Sequence, residues 1–95
     1  MSRPEQVIVD LSAVTSNREL HEVLKRGLGF PDWYGMNWDA FWDAITGLVE
    51  MPERLQFTGW SSFEARLPAE AQQLKSSLEQ MSSEFPHVAA TVSCA

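Results

Sequence analysis

Three short apolar runs punctuate this chain, and helical periodicity fills both gaps between them. Val7-Ile8-Val9-Asp10-Leu11 reads as a buried strand. Arg54-Leu55-Gln56-Phe57-Thr58 alternates and reads as a second, and Val88-Ala89-Ala90-Thr91-Val92 as a third. Neighbouring strands joined through helical crossovers run parallel. The expected class is α/β: a small three-stranded parallel sheet packed by about four helices, in one domain over residues 1–95.

Ser16 or Asn17 can cap the first helix, with Glu19 and Glu22 in its first turns. Leu20, Val23, Leu24 and Leu28 recur at helical spacing, predicting a helix over 18–26 stopped by Gly27 and Gly29. Residues 30–36 form a loop, and Asn37 is placed to cap a second helix from Trp38 to about Leu48. On a helical wheel Trp38, Phe41, Ile45, Leu48 and Val49 share one face. Asp39, Asp43, Thr46 and Gly47 share the other, with Trp42 at the boundary. Met51-Pro52 ends that helix. A short helix over 61–67 ends at Pro68, and another runs from Ala69 to about Ser83 with Leu74, Leu78 and Met81 inward. Pro86 closes that region.

The formal net charge is −6, from 13 acidic and 7 basic side chains. That sign works against nucleic acid, whose phosphates need a basic face, and favours a basic protein partner. Cys94 is the single cysteine, so no intramolecular disulfide or cysteine-based zinc site can form. A reducing cytoplasm fits that usage. The opening residues are too short in apolar content for a signal core, and no run approaches a membrane span. No phosphate-binding loop or nucleophile elbow occurs. His21 and His87 share no motif, and His21 reads as a surface or core residue rather than a ligand. The expectation is a protein that is not an enzyme and carries no cofactor or metal.

Residues 31–43 stand apart. They hold three of the four tryptophans, the only tyrosine and three aspartates, and no basic residue lies between Arg26 and Arg54. Asp39 and Asp43, four apart, project from one helical face. Three readings of them are open: a solvated helix face, a carboxylate cation site drawing on Glu50, or a contact for a cationic partner. Neighbours on one helix make a poor glycosidase pair, because those carboxyls must flank a substrate. Trp33 and Trp42 could cover the edge of the core or serve as binding anchors.

The stretch from Leu28 to Gly47, followed by Val49-Glu50-Met51-Pro52, resembles the barstar family, intracellular inhibitors of barnase-type microbial ribonucleases. The shared pattern is apolar-Pro-x-aromatic-Tyr-Gly-x-Asn-apolar-Asp-Ala-apolar-Trp-Asp, then Thr-Gly and a strand-opening Pro. The resemblance implies a three-stranded parallel sheet packed by helices. It also implies a monomer that plugs a basic secreted ribonuclease one to one. Asp43 would replace a substrate phosphate among the enzyme's cationic residues, and Asp39 would be the second acidic contact. Trp33 stands where the family has an aromatic that packs on the enzyme's histidine. Asn37, Trp42, Thr46 and Gly47 match further contacts, and either Glu79 or Gln80 fills a position on the later helix. A cis bond is implied at Met51-Pro52, with a slow refolding phase. Trp33 in place of Tyr and Leu48 in place of an aromatic depart from the pattern. These departures keep open an immunity or adaptor protein for a different basic toxin.

Overall fold

The parallel sheet expected from the element order is present. A computed structural model describes residues 3–95. In chain order it contains β1 (Gln6–Asp10), α1 (Asn17–Leu28), α2 (Trp38–Asp43) running into a π-type turn (Ala44–Leu48), and β2 (Arg54–Thr58). Then follow α3 (Trp60–Arg66), α4 (Pro68–Glu84) and β3 (Thr91–Cys94). The sheet order is β1-β2-β3, with both pairings parallel and β2 central.

Val9 pairs with Phe57, and both are buried together with Leu55. On the opposite face Ile8 aligns with Gln56 and Ser93, and Ile8 is 60% exposed. β1 is therefore an edge strand with one open face, and only part of the expected buried strand is buried. Parallel sheets usually have both faces covered; here the second face is left open, polar at Gln56 and Ser93 but carrying the exposed Ile8.

Ser16 caps α1, its hydroxyl accepting from the Glu19 amide at 3.1 Å while the Glu19 carboxylate accepts from the Thr15 amide at 2.9 Å. The first bond satisfies an amide that a helix start leaves unpaired, and the second fixes the residue that precedes the cap. Gly27 does not stop this helix. A Cβ there would lie 2.9 Å from Val9 Cγ2, so the bare backbone lets α1 press against β1. Gly29, with φ 73°, is the true C-cap. Pro68 opens α4 at its first position, where a missing amide costs nothing. Arg66 donates to the carbonyls of Ser12 at 2.8 Å, Val14 at 3.0 Å and Leu11 at 3.3 Å, tying α3 to the β1–α1 loop.

The third strand begins later than its apolar run. Residues 86–88 instead form a turn, in which the Phe85 carbonyl accepts from the amides of Val88 and Ala89, each at 3.1 Å. Pairing starts where the Thr91 amide donates to Glu53 O at 2.8 Å. The Met51–Pro52 bond is trans, since the described residues contain no cis peptide. The expected cis bond and its refolding phase therefore fall away. Trans is the lower-energy form for an X–Pro bond, and Arg3 holds the carbonyls of Met51 at 2.9 Å and Pro52 at 3.0 Å.

Candidate protein-binding site

Asn37 begins α2 with its side chain already committed. Its Oδ1 accepts from the Ala40 amide at 2.7 Å, and its Nδ2 donates to Gly35 O at 3.1 Å. The preceding loop turns at Pro31, whose carbonyl accepts from the Tyr34 amide at 3.0 Å. Met36 takes a left-handed φ of 57°, which costs a non-glycine residue about 1 kcal/mol. A Cβ on Gly35 would lie 3.1 Å from Ala40 Cβ, so the loop is folded tightly onto the helix it feeds. Tyr34 is buried beneath the loop, and Trp33 stands 72% exposed above it.

α2 buries Phe41 and turns Asp39 and Asp43 to solvent. Trp38 is half-buried rather than wholly core; its indole Nε1 donates to Glu70 Oε2 at 3.0 Å. The same oxygen accepts from Asn17 Nδ2 at 2.7 Å, so one carboxylate of α4 joins α1 and α2. Trp38, Asp39, Trp42 and Asp43 then line an open groove of about 410 Å³ with Gln73, Ser77 and Gln80 of α4. Of the two later-helix candidates, Gln80 lies in this groove. Glu79 instead lines a cavity with Trp60, Lys75 and Cys94.

Past Asp43 the helix widens. The Thr46 hydroxyl donates to Trp42 O at 2.6 Å, competing for a carbonyl that helical pairing would use. The Val49 amide reaches back to Ala44 O at 3.1 Å, five residues away. This wider turn explains Leu48. An ideal wheel puts it on the core face with Ile45, but it is 43% exposed, while Ile45 is buried as expected and Ala44 is buried with it. Single π-turns are often found at functional sites.

Among the described residues the ion pairs are Arg18–Glu22 and Arg54–Glu5, each at 3.3 Å. Neither involves an acid of the groove, so Asp39 and Asp43 have no cationic partner among the described residues. Glu50 lines a separate cavity with Thr46, Val49 and Val88. No cluster of three His, Cys, Asp or Glu residues suited to a metal occurs among the described residues, and none of their helices is long and apolar enough to cross a membrane.

His21, Tyr34, Glu70, Gln73 and Ser77 support or line this site and were not singled out as site residues from sequence. His21 proves to be a core residue, fully buried, with its Nδ1 2.7 Å from Tyr34 Oη. Tyr34 Oη donates onward to Asn37 O at 3.5 Å. His21 Nε2 is a buried atom with no hydrogen-bond partner among the described residues. Burial lowers the His21 pKa from its ordinary 6.5, and the charge of Glu70 offsets part of that shift. Burial also pushes the Tyr34 hydroxyl upward.

Between the lowered His21 value and 6.5 the unfolded chain binds more protons than the folded one. Stability therefore rises with pH across that window and is lost as acid protonates the ring. Urea denaturation from about pH 7 to about pH 5 is expected to show falling midpoints, with His21→Gln flattening the slope. An unchanged slope in that variant would assign the effect to other groups.

Over residues 5–93 the chain matches the family described as Barstar (barnase inhibitor). It is also similar to a Bacillus subtilis (strain 168) protein named "Putative ribonuclease inhibitor YrdF". The two are 45% identical over 47 residues, which make up 50% of this chain and 52% of that protein. The chain thus spans about half the length of this curated relative. The parallel three-stranded sheet, the capped acidic helix beside an aromatic loop, and a match reaching from residue 5 to residue 93 together place the chain within the barstar family.

Proposed function

We propose that this protein is a cytoplasmic inhibitor, or immunity protein, that blocks the active site of a basic secreted microbial ribonuclease one to one. The observation that carries this reading is the groove in which Asp39 and Asp43 lie together, beside exposed indole surface and with no ion-pair partner among the described residues. A ribonuclease cleft is cationic because it binds phosphate. Asp43, entering such a cleft, accepts charge-assisted hydrogen bonds where a phosphate would sit, and Asp39 supplies a second acceptor. Trp33 packs on a ring of the enzyme, and Trp42 excludes water from the edge of the contact. Gln80 faces the same groove from α4. The net charge of −6 adds long-range attraction to a basic enzyme.

Gly47 offers a separate test. Its backbone lies outside the left-handed region, and an added Cβ would meet nothing within 4 Å. Neither conformation nor packing calls for glycine, which costs a helical position about 1 kcal/mol relative to alanine. Close approach of a partner accounts for it. Gly47→Ala is expected to raise stability by roughly 0.5–1 kcal/mol while weakening ribonuclease binding at least tenfold. Affinity equal to wild type would remove Gly47 from the contact.

The reading as a whole is tested by calorimetric titration into a barnase-type ribonuclease, with RNA cleavage followed in parallel. Saturable one-to-one binding with loss of cleavage is the expected result. The second reading, an immunity protein for a different basic toxin, draws on Trp33, Leu48 and the neutral Gln80 in the groove. Capture of a toxin without ribonuclease activity, and no binding to ribonucleases, would favour it.

A further inference from the structure

The contact face does not end at Trp42. We infer that it continues onto the turn between α4 and β3, where Phe85 and Val88 form an apolar shoulder for a non-polar patch beside the partner's cationic cleft. This rests on the proposed binding of a basic protein at Asp39 and Asp43, and it adds a second, uncharged half to that recognition.

Two connections make the shoulder continuous with the groove. The Phe85 ring lies 6.4 Å from that of Trp42, tilted by 45°, within the range of aromatic pairing. Val88 lines a cavity of about 390 Å³ with Thr46 and Glu50, the latter two at the far end of the site helix. Phe85 is 44% exposed and Val88 50%, in a chain whose other large apolar side chains are mostly buried. Solvent gives no reason to display both on one turn. Acids border them: Glu50 shares the cavity, and Glu84 precedes Phe85 and accepts from Gln80 Nε2 at 2.7 Å. Arg3 lines the same cavity, but its guanidinium is committed to backbone carbonyls, which leaves Glu50 and Glu84 as the charges facing a partner. Such a rim suits a basic protein better than a second copy of this chain, which carries −6.

The turn is also held ready. Arg3 donates to the carbonyls of Ala89 at 3.2 Å, Val88 at 3.3 Å and His87 at 3.4 Å. The same guanidinium holds Met51 and Pro52, so it ties the turn to the segment that follows the site helix. A contact already ordered loses little conformational entropy on binding.

The test is binding of a barnase-type ribonuclease to wild type, Phe85→Ser, Val88→Ser and Asp43→Ala at low and moderate salt, with urea midpoints measured for each. Phe85→Ser is expected to weaken affinity roughly 10- to 30-fold and Val88→Ser about 5-fold, mainly through faster dissociation. Their salt dependence should match wild type, whereas Asp43→Ala should lose affinity and flatten it. Val88→Ser guards against a Phe85 effect transmitted through Trp42. If Asp43→Ala loses binding while both serine variants stay within about twofold of wild type, the shoulder is overturned and the acidic site stands. If wild type binds no ribonuclease, the underlying reading fails and the shoulder falls with it.

Discussion

Asp43→Ala is expected to abolish tight binding to the cognate ribonuclease, with a loss on the order of 4 kcal/mol or more. That magnitude belongs to strong interface hot spots in general, the barnase–barstar pair among them, and does not come from this chain's geometry. The geometry gives the direction. Asp43 is exposed at the end of α2, four residues from a like charge and without an ion-pair partner among the described residues. Like charges four residues apart on one helix face disfavour each other by a few tenths of a kcal/mol. Removing it should leave stability unchanged or raise it by a few tenths of a kcal/mol. Binding and stability thus move in opposite directions, which a merely structural residue would not do. Titration calorimetry and urea denaturation on the same variant check both. A binding loss below about 1 kcal/mol would contradict the central role of Asp43.

Phe41→Ala is expected to act in the other sense, costing about 3–5 kcal/mol of folding stability. Phe41 is fully buried on the side of α2 away from the aspartates. Its ring lies 5.4 Å from that of Trp38 and 6.0 Å from that of Phe30, at near-perpendicular tilts. Truncation leaves a cavity between the site helix, the loop that carries Trp33 and the core. A domain of this size has only about 5–15 kcal/mol in total, so melting should fall by roughly 15 °C or more. The molecules that remain folded still present Asp39 and Asp43. Added ribonuclease should therefore recover much of the lost melting temperature by mass action. A stability loss under about 1.5 kcal/mol would mean that the site can collapse around the missing ring.

Much of this could be read before any coordinates. The strand–helix alternation determined a parallel three-stranded sheet, since such strands require crossovers. Local chemistry determined the caps at Ser16 and Asn37, because a side-chain oxygen before an apolar-periodic run has few other uses. Spacing four apart determined that Asp39 and Asp43 share a helix face, and the motif from Leu28 to Gly47 pointed to the family.

Other features depended on contacts distant in sequence. Gly27 reads as a helix stop until Val9 is seen packed against it. Leu48 reads as core until the π-type turn rotates it outward. The run at Val88 reads as strand, but its carbonyls are held by Arg3 from the other end of the chain. His21 acquired its role from Tyr34 and Trp38, and the choice between Glu79 and Gln80 for the groove was made by how α4 packs on α2. Periodicity and capping act within a few residues and are written in the local sequence. Which face is covered, which ring loses its water and which strand lies at the edge depend on elements brought together only by the folded chain.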